Sequence, residues 1–399
     1  MKKIKIGFLW HNVSSCNLGV GALAISHMII VDSILKELNI EAEFYTIGDG
    51  EVTSLENHKL VEKQIGHSII HRVISIKKIV TNIKEFKKFK HLMSEMDYVF
   101  DNGAGDSFAD IYGIKRFTIQ AFTKIYSIIF NKKMILAPQT IGPFKSKIVK
   151  QIAKQIIKKS VLVFARDNMS FEVGKQLGNC KLSTDLALTM PFEKTTYDDK
   201  FIHVGLNVSG LLWNGGYTQS NQFGLKHSYK EFIEACIDFF LSQKNVKVHL
   251  VSHVIAMDSN NLIEDDYHIC VELQKRFPDL ILSPRFTNAI EIKNYISGMD
   301  FFTGGRMHAT IAAFSTGVAV VPYAYSRKFE GLYGTFDYNY VLDAKKLDLN
   351  EAISYLKKSF LERDELKKRI EFSKVKVDEL IAIYKDSLKT FFQKELNDY

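Results

Sequence analysis

The sequence predicts a parallel α/β fold built in two halves. Three observations carry this. Short apolar runs alternate with longer helical patterns, glycine-containing turns follow several of those runs, and the alternation pauses once near residue 195 before restarting. A length of 399 residues fits two domains, each able to bury its own core. With 46% hydrophobic and 25% charged residues, collagen-like, low-complexity and disordered classes are excluded.

Ile4–Leu9 reads as the first buried strand, followed by a glycine-containing loop and a helix from about Ala22 to Leu38. Further strands are expected at Glu43–Ile47, Tyr98–Asp101, Met134–Pro138 and Val161–Ala165. The polar stretch Glu193–Lys200 suits an interdomain linker. Strands then resume at Ile202–Val208, Val246–Ser252, Asp300–Thr303 and Val318–Pro322, and Leu349–Glu395 reads as helical, with no Gly or Pro. We therefore expect two Rossmann-like domains, 1–195 and 196–345, facing each other across a cleft, followed by C-terminal helices over 346–399.

The N-terminus starts basic, but its apolar run ends at His11 and Asn12, which argues against a signal peptide. No apolar stretch is read as approaching the ~20 residues that span a bilayer. Four scattered cysteines without a CxxC pair argue against a disulfide framework or a zinc site, and for a reducing compartment. The expected location is cytoplasmic, either free or peripheral at the inner face of the plasma membrane. Net charge is +8, which leaves room for an anionic partner. Helical spacing over Ser68–Met93 carries Arg72, Lys77, Lys78, Lys84, Lys87, Lys88 and Lys90 against Glu85, and a second basic cluster runs from Lys145 to Lys159. These read either as solvated faces or as a surface for anionic lipid. Nucleic acid is not expected, because aromatic residues do not interleave the basic ones.

Open α/β folds place ligands beyond strand C-termini, so the chemistry is sought there. After the first strand, Asn17 and Gly19 stand at a glycine-rich turn into a helix, where backbone amides favour anions. Asp101-Asn-Gly-Ala-Gly-Asp106 through Asp110 crowds three carboxylates at one strand end, with Asp101 or Asp106 a candidate general base. Arg166 follows another strand, either paired with Asp167 and its neighbours or holding an anion. In the second half, Asn207, Ser209 and His253 follow strands in equivalent places. The densest signal is Phe302-Thr-Gly-Gly-Arg-Met-His308, which stacks an arginine, an imidazole and a helix start.

At these residues the chain resembles the polysaccharide pyruvyl transferase family, from Gly7 to about residue 345. The Gly-Arg-Met-His308 turn with Gly317, Pro322, Tyr325 and Lys328 carries most of the likeness. Ala137-Pro-Gln-Thr-Ile-Gly-Pro143, Ala165-Arg-Asp167, Thr184-Asp-Leu-Ala187 and Asp101–Asp110 add to it. Many members have Asn-x-Gly-Asp in the first loop, where this chain has Asn17-Leu-Gly-Val20.

The resemblance implies a GT-B-like architecture and transfer of pyruvate from phosphoenolpyruvate, as a cyclic ketal, to a cell-surface glycan or a polyprenyl-diphosphate-linked sugar. It assigns Arg166, Arg306, Met307 and His308 to the donor, with His308 serving either as acid or as phosphate ligand. Asp101 and Asp106 are assigned to the sugar. The scheme calls for no cofactor or metal. Two alternatives stay open: a nucleotide-sugar glycosyltransferase of the same architecture, and a glycan- or lipid-binding protein without turnover.

Overall fold

The computed structural model describes residues 3–48, 55–65, 68–74, 78–79, 81–106, 108–111, 113–130, 132–256 and 263–397. The chain divides into two compact units, one formed by Met1–Ser14, Leu23–Leu186 and Asp378–Tyr399 and the other by Ser15–Ala22 and Ala187–Val377.

The first unit holds β1 (Ile4–Leu9), α1 (Leu18–Glu37), β2 (Ala42–Gly48), α2 (Leu55–Ile65), β3 (Ile69–Val73), α3 (Ile83–Glu95), β4 (Tyr98–Asp101), α4 (Ile114–Ile129), β5 (Lys133–Gln139), α5 (Lys147–Lys159), β6 (Leu162–Ala165), α6 (Asn168–Leu177) and β7 (Lys181–Leu182). The first turn of α1, up to Ala22, groups with the second unit. All strands are parallel, in the order β3-β2-β1-β4-β5-β6-β7. The order reverses between β1 and β4, so the loops after Leu9 and its register partner Asp101 open at the switch point where such sheets bind ligands.

The second unit repeats the plan with β8 (Ile202–Asn207), α7 (Gly210–Trp213), α8 (Tyr229–Leu241), β9 (Val246–Leu250), α9 (Asp266–Arg276), β10 (Ile281–Leu282), α10 (Ala289–Ser297), β11 (Phe301–Gly304), α11 (Met307–Thr316), β12 (Ala319–Ala324), α12 (Arg327–Thr335), β13 (Leu342–Asp343) and α13 (Leu349–Leu361). Its strands run β10-β9-β8-β11-β12-β13 and reverse between β8 and β11, where Asn207 pairs in register with Gly304. The last helix, α14 (Arg363–Asn397), belongs to the second unit up to Val377 and to the first beyond it.

Four expectations differ from this. Ser68–Met93 is not one helix: Ile69–Val73 is an edge strand paired with Phe44–Gly48, and the helix starts only at Ile83. The apolar spacing there fitted both periods, but Asn82 accepts from the amides of Lys84 and Glu85 and fixes the helix start. Lys77 lies outside the described residues. Glu193–Lys200 links nothing loosely, because the Glu193 amide donates to Asn294 and the Tyr197 hydroxyl to the Tyr295 carbonyl. The 346–399 segment is shared between the units rather than separate. Finally, α1 is long and apolar enough to cross a membrane by length and composition, at a mean hydropathy of 1.9, yet 83% of that window is buried within the fold. Such a helix is hydrophobic all round because protein covers it all round.

Each unit also buries a histidine chain. In the first, the Leu9 carbonyl accepts from His11 Nδ1 at 2.7 Å, His11 Nε2 meets His27 Nδ1 at 2.7 Å, and His27 Nε2 meets the Tyr384 hydroxyl at 2.5 Å. A carbonyl only accepts, so the direction of every bond follows: Tyr384 donates to His27, His27 to His11, and His11 to Leu9, with both rings neutral. Burial lowers the His11 pKa to about 3 and takes that of His27 well below its usual range, helped by His11 itself. The second unit repeats the device with Asp198, His203, His249 and Tyr295.

Because the unfolded chain protonates His11 and His27 near pH 6.5 and the folded one does not, stability is expected to fall as pH drops from about 6.5 towards 3. Urea midpoints measured from pH 7 to pH 4 check this. In His27→Gln the slope should flatten by about one proton. An unchanged slope in that variant would refute the neutral relay.

Candidate functional site

In the second unit, the turn Gly304-Gly305-Arg306 leaves β11 and enters α11. A Cβ on Gly304 would stand 2.4 Å from Asn207 Cβ, so only glycine lets β11 close on β8 here. Asn207 fixes the turn from the neighbouring strand: its Oδ1 accepts the Arg306 amide at 2.8 Å, and its Nδ2 donates to the Val251 carbonyl at 2.8 Å. Ser209 caps the short helix α7 by accepting the Leu212 amide, and its own amide donates to the buried Tyr229 hydroxyl. Asn207 and Ser209 thus hold the frame and are buried.

Arg306 points its guanidinium at Asp266, the first residue of α9. Nε and Nη2 donate to Asp266 Oδ1 at 3.1 and 2.8 Å, and Nη2 donates to the Glu264 carbonyl at 2.7 Å. Asp266 is fully buried and also accepts the amides of Gly210, His253 and Val254. Burial alone would disfavour the arginine's charge, but Asp266 beside it outweighs that and raises its pKa. The guanidinium side chain keeps 11% of its surface exposed, and its Nη1 makes no hydrogen bond among the described residues.

His308 stands in the first turn of α11, half-buried, and meets the first turn of α1. A Cβ on Gly19 would lie 2.4 Å from His308 Nδ1 and 2.8 Å from its Cβ, so the imidazole rests against the bare α1 backbone. The loop before α1 is tied down by an Asn17–Val254 bridge, by the Leu18 amide donating to the His253 carbonyl, and by Asn17 Oδ1 accepting the Gly19 amide. The N-termini of the 20-residue α1, whose first amides are already bonded, and of the 10-residue α11 therefore lie beside one imidazole and one arginine. His253 is buried beneath them, and burial, with His308 and Arg306 nearby, pushes its pKa well down and keeps it neutral. The fold thus brings Asn17, Gly19, Asn207, Ser209, His253, Arg306, Met307 and His308 together. Asp266 and Tyr229, which hold the arginine and the turn, were not read from the sequence.

Asp101, Asp106 and Arg166 lie in the first unit, at the ends of β4 and β6. Asp101 is fully buried, bonded to Lys124 at 2.9 Å and accepting the Gly103 amide at 2.8 Å. Burial raises its pKa against the pull of Lys124. A carboxylate with no exposed surface does not fit the expected role of base towards a sugar, and Asp101 instead shapes the Gly103–Gly105 turn. Both glycines have positive φ, and Gly103 packs on Gln139 so closely that a Cβ would meet Oε1 at 2.3 Å. Asp106 closes that turn, its amide donating to the Gly103 carbonyl, and is half-buried. Asp110 accepts the amides of Lys145 and Ser146.

Arg166 is buried, with Nη1 on Asp185 at 3.0 Å and Nε 4.0 Å from Asp167, which itself caps α6. Of the two sequence readings for Arg166, pairing is the one observed. Around it, Asn102 Nδ2, Gln139 Oε1, Thr140 Oγ1, Arg166 Nε and Thr184 Oγ1 are buried without a hydrogen-bond partner among the described residues. Buried polar groups are rarely left so, and here they stand on neighbouring strand ends.

Two parallel sheets of this kind define the GT-B class of glycosyltransferase and epimerase folds. A putative UDP-N-acetylglucosamine 2-epimerase from Listeria monocytogenes superposes with a TM-score of 0.58 at 11% identity, covering 93% of this chain and 91% of that one. The UDP-GlcNAc 2-epimerase from Neisseria meningitidis bound to UDP-GlcNAc gives 0.57 at 10% identity, covering 95% and 100%. At such identities the likeness shows the fold alone. No curated protein matches the sequence. The chain belongs to the polysaccharide pyruvyl transferase family, whose sequence model matches residues 17–327. It is a transferase of polysaccharide modification.

Proposed function

We propose that the protein moves the pyruvyl group of phosphoenolpyruvate onto two hydroxyls of a sugar, in a cell-surface polysaccharide or its lipid-linked precursor, closing a cyclic ketal and releasing phosphate. The observation that carries this reading is the meeting of two helix N-termini at the Gly19–His308 contact, beside Arg306. Phosphoenolpyruvate carries a phosphate and a carboxylate, and such an arrangement suits two anionic groups in close company.

The chemistry starts with a proton delivered to the vinyl carbon C3, which leaves C2 electrophilic. One sugar hydroxyl adds to C2 and loses its proton. The C2–O bond to phosphate then breaks, and the second hydroxyl closes the ketal as its proton departs. His308 either supplies the proton to C3 or binds the phosphate as it leaves, while the amide of Met307 meets the anion and the positive end of the α1 dipole lies beside it. Arg306, clamped by Asp266, offers Nη1 in a fixed direction.

Thermal melting with ligands tests the donor. Phosphoenolpyruvate is expected to raise the melting temperature in proportion to its saturation, whereas UDP should not. Stabilisation by UDP alone would move the assignment to a nucleotide-sugar transferase.

A further inference from the structure

From Ile111 to Arg166 the sequence contains twelve lysines and arginines and no aspartate or glutamate, so the remainder of the chain is net acidic. This stretch folds into α4 and α5, neighbouring helices of the first unit. Between them runs an apolar groove of about 340 Å³, lined by Ile125, Ile128, Ile129, Ile152, Ile156 and the stem of Lys159. Ile129 is 61% exposed and Ile148 is 75% exposed. Helical spacing sets Ile148, Ile152, Gln155 and Lys159 on one face of α5. The same spacing puts Lys147, Lys154 and Lys158 on the adjoining face, away from the buried Val149, Ala153, Ile156 and Ile157. On the other side, Phe86 of α3 stacks edge-on with Tyr126 of α4 at 5.1 Å, and α3 adds the exposed Lys84, Lys87 and Lys90.

We propose that the α4–α5 face docks the protein on an anionic phospholipid bilayer. The lysines meet lipid phosphates while the exposed isoleucines enter the interface between headgroups and acyl chains. Exposed isoleucines amid lysines favour a bilayer over a nucleic acid or other soluble polyanion, which would give those side chains nothing apolar to bury. Of the two basic clusters expected from the sequence, Lys145–Lys159 supplies this face, whereas Ser68–Met93 does not form a single basic helix. The inference does not depend on the identity of the donor.

Flotation of the full chain with vesicles tests it. Binding is expected to equimolar phosphatidylcholine and phosphatidylglycerol, to weaken with salt, and to be lost on pure phosphatidylcholine. Lys147→Ala, Lys154→Ala and Lys158→Ala together should weaken it on the order of 100-fold. The pair Ile129→Glu and Ile148→Glu should also abolish flotation while leaving the melting temperature and the phosphoenolpyruvate shift as in the parent. Equal binding to neutral vesicles, or no binding to anionic ones, would overturn the proposal. So would retained flotation in the isoleucine variant together with equally tight heparin binding, an outcome that assigns the face to a soluble polyanion.

Discussion

His308→Ala is expected to slow pyruvyl transfer by roughly two to four orders of magnitude, the usual scale for a positioned proton donor, with little change in melting temperature. The imidazole is half-buried at the start of α11 and touches the α1 turn through Gly19, so its removal leaves no large cavity in either sheet's core. Steady-state phosphate release from phosphoenolpyruvate measures the effect. His308→Gln separates the two roles left open for the imidazole. If His308 is the acid, glutamine lowers kcat and keeps KM. If it holds phosphate, glutamine retains a donor and recovers part of the rate. Wild-type turnover in His308→Ala would remove the residue from the mechanism.

Asp266→Ala carries the largest expected effect on stability. The change leaves the Arg306 guanidinium facing an apolar hole and strips the acceptor from three backbone amides, those of Gly210, His253 and Val254. Breaking a buried pair in this way costs roughly 3–5 kcal/mol, because the remaining charge stays buried and uncompensated. The double variant with Arg306→Met should recover a good part of that loss, since no orphaned charge remains. Chemical denaturation of the three proteins checks it. Equal stability of Asp266→Ala and wild type would mean that the pair contributes nothing to the fold.

Much of this architecture was legible from the residues. The strands Ile4–Leu9 and Tyr98–Asp101 were read to the residue, because apolar runs bounded by polar turns have little freedom of placement. The Gly-Gly-Arg-Met-His turn was legible because glycines, a cation and a helix start coincide within a few positions. Its support was not. Asp266 follows Asp265, which caps α9, and a pair of acids at a helix start reads locally as capping alone. That Asp266 reaches Arg306, 40 residues later, is set by the β9–β8–β11 order and not by any local pattern.

Asp101 shows the opposite failure. Three acids at a strand end suggested chemistry, but Lys124 of α4 neutralises one of them inside the core. Likewise β3 was hidden because Ile69 and Val73 satisfy a helical spacing as well as an edge strand, and only its pairing with β2 decides between them.

The central question is whether the N-termini of α1 and α11 together receive phosphoenolpyruvate. Gly19→Val tests it most directly, since the new side chain would occupy the space of the His308 ring. Calorimetric titration of wild type and variant with phosphoenolpyruvate, both shown folded by circular dichroism, gives the answer. Saturable binding is expected for the wild type and none for Gly19→Val. Equal affinity in the two proteins would place the donor elsewhere.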